Sequence, residues 1–191
     1  MSTVEDNLDL LTSIYKKYSP SIESYRKTEQ CCVKKLFSRS KNGTIYGMFY
    51  PYEEMTKFFK YCGKLVSEED SYDNVYFFDK NDRLLLTRQI LSDKAILSFT
   101  LFYYYDSYID AVWYSTEKGV DMIARYEKTN GVLTRYIEGD YIKDGVVQGF
   151  EEFIFPLNVD EKVTRTSFAK GVCFDGKDMS ITNSFAFLME V

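Results

Sequence analysis

Val120-Asp121-Met122-Ile123-Ala124-Arg125-Tyr126-Glu127-Lys128, then Thr129-Asn130-Gly131, then Val132-Leu133-Thr134-Arg135-Tyr136-Ile137-Glu138, decides how this chain folds. In the first arm Val120, Met122, Ala124 and Tyr126 alternate with Asp121, Arg125 and Glu127, the period of a half-buried strand. Asn-Gly between two such arms supplies the positive φ at both central residues that a type I′ hairpin turn needs. The same signal recurs at Asn42-Gly43, Asp144-Gly145 and Asp175-Gly176, so four of the ten glycines sit in hairpin dipeptides.

Working outward, strands are expected over 75–78, 83–90, 95–105, 109–115, 120–128, 132–138, 146–155, 168–174 and 180–189. In 95–105 the odd positions Ala95, Leu97, Phe99, Leu101, Tyr103 and Tyr105 form the buried face, and Ser98, Thr100 and Tyr104 the softer one. Turns of a few residues make this an antiparallel meander, either a long twisted sheet or one curled toward a barrel.

Upstream the texture is helical. Ser2 and Glu5 have capping-box spacing, and Val4, Leu8, Leu11, Tyr15 and Tyr18 make one helical stripe over about 3–18. Ser19-Pro20 stops that helix and starts a second, with Ser19 as N-cap and Pro20 at N1. Met55, Phe58, Phe59, Cys62 and Val66 predict a third helix over about 52–66, while 31–50 reads equally as hairpin or helix. The expected class is α+β: one domain over 1–191, with helices in 1–70 packed on a sheet from 75 onward.

With 45% hydrophobic residues and 17% aromatics, the chain can bury a sizeable core. A net charge of −5 without a basic run disfavours nucleic acid. No signal peptide or membrane span is expected, which places the protein in the cytoplasm. Cys31, Cys32, Cys62 and Cys173 are expected to stay reduced.

The chain has no histidine, which removes Ser-His-Asp and Cys-His catalysis and the usual zinc ligand sets. Ser13-Ile14-Tyr15-Lys16 matches S-x-x-K without its companion motifs. Asp79-Lys80-Asn81-Asp82 begins like a calcium loop, but Arg83 occupies the third ligand position. Asp106 and Asp110 are spaced for an acid–base pair, yet both are expected to be solvated turn residues. Their segment reads better as a contact surface, with Tyr104, Tyr105, Asp106, Tyr108 and Asp110 meeting a basic partner. No cofactor and no metal is expected.

Tyr76–Arg88 and Tyr126–Arg135 share an aromatic, a polar turn and Leu-Thr-Arg. In this they resemble the hairpin unit of bacterial YD-type repeats, with Asp82 where that repeat prefers glycine. Size, acidity, the tyrosine-rich meander and these hairpins together resemble, in kind, the immunity proteins that neutralise bacterial polymorphic toxins. That resemblance implies a non-enzymatic protein that binds and blocks a basic toxin domain. The alternatives are an apolar-ligand barrel lined by Leu97, Phe99, Leu101, Trp113 and Met122, a carboxylate-dependent hydrolase, or a structural subunit of a phage or secretion machine.

Overall fold

A computed structural model of the chain describes residues 3–18, 21–40, 51, 63–90, 95–157, 162–172 and 178–187. Among these are helices α1 (Val4–Lys17) and α2 (Ile22–Gln30). The strands are β1 (Lys34–Ser40), β2 (Gly63–Val66), β3 (Asn74–Phe78), β4 (Leu84–Ile90), β5 (Ile96–Tyr104), β6 (Tyr108–Ser115), β7 (Gly119–Thr129), β8 (Val132–Lys143), β9 (Val146–Ile154), β10 (Val163–Val172) and β11 (Asp178–Phe187). Every described strand pairing is antiparallel, and the class is α+β. The chain divides into two compact units, one of residues 1–19, 104–112 and 121–191, the other of 20–103 and 113–120. Each takes one helix, and neither closes into a barrel.

In the 20–103 unit the strands lie in the order β5-β4-β3-β1-β2. Register aligns Val66, Phe37, Val75, Arg88 and Phe99 in one cross-strand row. Phe77, Leu86 and Leu101 form the next. With side chains alternating between faces, the apolar members of these rows meet Tyr25 of α2 in one buried cluster. Tyr25 lies 5.2 Å from Phe99, ring centre to ring centre. Arg88 enters the same face as a polar pin: its Nη1 donates to the Tyr25 hydroxyl at 2.6 Å, and the guanidinium lies over Phe77. Strand β3 is buried on both faces; on the far one the fully buried Tyr76 hydroxyl meets Ser38 Oγ at 3.0 Å.

The other unit carries the order β11-β10-β9-β8-β7 and then Tyr108–Val112 of β6. Helix α1 lies on β8 and β9 through Asn7, Leu11 and Ile14, all buried, at i, i+4 and i+7. Arg135 of β8 fixes the docking, its three guanidinium nitrogens donating to Asn7 Oδ1 (2.6 Å), Glu127 Oε1 (3.0 Å) and Glu152 Oε1 (2.7 Å). Gly139 lies beneath the helix, where a Cβ would come within 3.0 Å of Leu11 and 2.9 Å of Val147.

The hairpin chemistry reads through to the backbone. Asn130-Gly131 and Asp144-Gly145 have φ of +53/+83° and +53/+76°, left-handed at both central residues as a type I′ turn requires. Asp82, in the turn between β3 and β4, also takes a left-handed φ of +56°. Both hairpins that share the Leu-Thr-Arg pattern have a register shift just before the turn, at Phe77/Phe78 and at Glu127/Lys128.

Several expectations are corrected. The capping box of α1 is Thr3 with Asp6, one residue on from Ser2 and Glu5, because the overlapping pair has the same spacing. The buried stripe is rotated accordingly. Ser21, not Ser19, caps α2. Residues 63–66, expected to end a helix, are strand β2, drawn out by pairing with Phe37–Ser40; residues 52–62 of that helix lie outside the described residues. The first arm of the 31–50 segment is strand β1, and Asn42-Gly43 and Asp175-Gly176 lie outside. In β5, Phe99 and Leu101 are buried but Leu97 is half-buried and Ala95 exposed. Ser98 and Phe102, on the opposite face, are buried too.

Candidate functional site

The expected contact segment is the tip between β5 and β6, where the Tyr105 N–H donates to the Tyr108 carbonyl at 2.9 Å. Asp106 and Ser107 are exposed, Tyr105 is 38% exposed, and Tyr104 and Tyr108 are half-buried. The two rings at the tip stack, Tyr105 on Tyr108, with centres 4.5 Å apart.

Asp110 does not belong to that surface. It is fully buried, against the expectation of a solvated turn carboxylate. Arg125 of β7 grips it in a two-pronged bond, Nε to Oδ1 at 2.7 Å and Nη2 to Oδ2 at 3.1 Å. Tyr18 donates its hydroxyl to Oδ2 at 2.9 Å, and Lys17 Nζ lies 3.5 Å from the same oxygen. A carboxylate this buried persists because charge and hydrogen bonds replace the lost water. Nothing about Asp110 in isolation separates it from Asp106. Its partners come from the end of α1 and from β7, fifteen residues on.

The same partners brace the rings. Lys17 Nζ lies 4.1 Å from the centre of the Tyr105 ring, and the Arg125 guanidinium 4.0 Å from that of Tyr108, both within cation–π range. The hydroxyls of Tyr18 and Tyr105 are 2.8 Å apart. A phenol has one proton to give, and that of Tyr18 goes to Asp110, so Tyr105 donates to Tyr18. Lys17 Nζ in turn lies 4.8 Å from the centre of the Tyr18 ring. The result is an ordered chain from one phenol through the other to the buried carboxylate.

The electrostatics follow. The nearby ammonium of Lys17 holds the Tyr105 phenol below its usual range. Burial holds that of Tyr18 well above it. Desolvation works against the charge on Lys17, but the nearness of the Tyr105 phenol and of Asp110 outweighs that and stabilises the ammonium. With Asp110 neutralised by Arg125, the accessible charges around the tip include Asp106 and Lys17, which is 42% exposed. The tip is therefore not a uniformly acidic patch.

Beside it, Ser107, Tyr108, Glu127, Lys128, Thr129 and Thr134 line a shallow polar hollow of about 220 Å³. A second cluster of charges lies across β8, β9 and β10. Tyr136 donates to Glu138, whose cross-strand neighbour Glu151 pairs with Arg165. Burial pushes the Glu138 carboxyl up to about 7, with Glu151 and Asp140 adding to the rise and the Tyr136 bond opposing it.

The remaining candidates are structural in their contacts. Ser13 Oγ caps the Leu10 carbonyl on the exposed side of α1. Asp79 holds its own turn, accepting from the N–H groups of Asn81 and Arg83 and from the Arg83 side chain, so its oxygens are turned inward rather than toward a cation. Phe99 and Leu101, candidates for a barrel lining, fill the cluster beneath α2. The residues that sequence reasoning missed are Lys17, Tyr18 and Arg125. Tyr18 stood in the helical stripe and Arg125 on the polar side of β7, and only the tertiary fold brings them to one carboxylate.

No protein-family model, no curated protein and no solved structure matches this chain.

Proposed function

We propose that this protein acts by binding another protein through the tip formed by Tyr104, Tyr105, Asp106 and Tyr108, in the manner of an immunity protein that blocks a bacterial toxin in the cytoplasm. The observation that carries this reading is the bracing of the tip from beneath. Stacked rings held by Lys17, Arg125 and Asp110 need little further ordering on association. Large, pre-set aromatic area is what binding hot spots use. Asp110 enters as part of the brace, not as a contact. Attraction of a basic partner rests on Asp106 and on the net charge of −5.

The test begins with the gene beside this one in its genome. If that gene encodes a toxin, co-expression of the present chain restores growth and the two purified proteins form a complex. Tyr105→Ala then raises the off-rate, and Asp106→Lys slows association at low salt. A complex that forms equally well with both variants places the contact elsewhere on the surface. A neighbouring product that neither kills nor binds removes the immunity reading.

A further inference from the structure

We infer that Tyr105 is a nucleophilic tyrosine, a site where an activated acyl donor transfers its group to the phenolic oxygen with Lys17 as the residue that activates it. This goes beyond the protein-binding reading and stands without it. Three features of the geometry converge on one oxygen. Tyr105 is 38% exposed at the head of a turn, so a donor reaches it from solvent. Lys17, itself 42% exposed, sets its ammonium over the ring, 4.1 Å from its centre, where a positive charge favours the phenolate. The Tyr105 proton points along a fixed bond to the Tyr18 hydroxyl, 2.8 Å away. A lone pair of the phenolic oxygen is thereby left for attack. Tyr108 stacks on the Tyr105 ring and Arg125 on that of Tyr108, so the nucleophile is held in one orientation.

With N-acetylimidazole as the donor, the Tyr105 oxygen attacks the acetyl carbonyl. The bond from carbonyl carbon to imidazole nitrogen breaks, and the phenolic proton ends on the departing imidazole. No oxidant or reductant takes part. The acetylated oxygen can no longer donate to Tyr18, so modification also cuts the chain of bonds that leads to Asp110.

The experiment is a time course of acetylation of the intact protein, read residue by residue by peptide mass mapping at several pH values. Tyr105 is expected to label severalfold faster than the half-buried Tyr15 and Tyr72, with its rate rising below the pH range of an ordinary phenol. Exposure alone would also speed labelling, so the deciding comparison is at Lys17. Lys17→Met should slow labelling of Tyr105 severalfold and move its rate profile to higher pH, while Tyr15 and Tyr72 keep their rates. Lys17→Arg, which keeps the cation, should retain most of the reactivity. Equal labelling of Tyr105 in wild type and Lys17→Met overturns the inference, and so does labelling no faster than at Tyr15. Unchanged far-UV dichroism of the variants excludes unfolding as the cause.

Discussion

Asp106 and Asp110 are four residues apart, yet the fold gives them opposite physical lives. Replacing Asp106 by alanine removes a solvated charge and should alter stability by no more than about 0.5 kcal/mol. Replacing Asp110 strands the Arg125 guanidinium, which is only 15% exposed, and removes the carboxylate that Tyr18 donates to. That loss should cost about 3 kcal/mol or more, and urea unfolding of the two variants measures the contrast. A second expectation concerns Glu138. Its carboxyl is raised from 4.5 to about 7 in the folded chain, so the folded state holds the proton more tightly than the unfolded one. Its stabilising contribution is complete below about pH 4.5 and is lost as pH rises through 7. Glu138→Gln, which keeps an acceptor for Tyr136, should therefore flatten the fall in stability over that interval and unfold at higher urea than wild type at pH 8. An unchanged pH profile would show that Glu138 is not the group responsible.

At the level of single elements, β5 makes a sharp test of which face is buried. Phe99 is 1% exposed and packs between Tyr25 and Tyr114, so Phe99→Ala should cost ~3–5 kcal/mol. Leu97, on the same side but half-buried near the strand's start, should cost clearly less. Equal losses would mean a strand register different from the one seen. The hairpins were legible in the sequence because Asn-Gly and Asp-Gly carry their instruction in two adjacent residues. The strands they join were legible because alternation is local. Strand β2 was not, because four residues show no period and their conformation is set by β1, more than twenty residues away. The cap of α1 was misplaced by one because Ser2/Glu5 and Thr3/Asp6 overlap, and local chemistry does not rank them. The brace under the tip was the least legible part. Asp110, Arg125 and Tyr18 carry no mutual signal until strand register and helix docking bring them together.

For the molecule as a whole, Cys31 and Cys32 are free thiols, and the expectation of no disulfide at Cys62 and Cys173 falls outside the described residues. Adding reductant should leave the melting temperature unchanged. A fall of several degrees would reveal a bridge closing a loop worth ~2–4 kcal/mol. The hairpin turns have another consequence, for how a preparation of this protein ages. Gly131 puts no side chain between its own backbone nitrogen and the Asn130 carboxamide, and both residues are exposed at the β7–β8 turn. On storage at alkaline pH that nitrogen can displace ammonia from the carboxamide, and the cyclic imide reopens to aspartate or to isoaspartate. Either product carries one more negative charge, so an old sample should resolve into acidic charge variants with the new mass on the peptides that hold the two Asn-Gly pairs, at residues 130 and 42. Aspartate leaves the turn intact. Isoaspartate lengthens the backbone by one carbon at the position that sets the β7–β8 register, so the isoaspartyl fraction should melt lower than fresh protein.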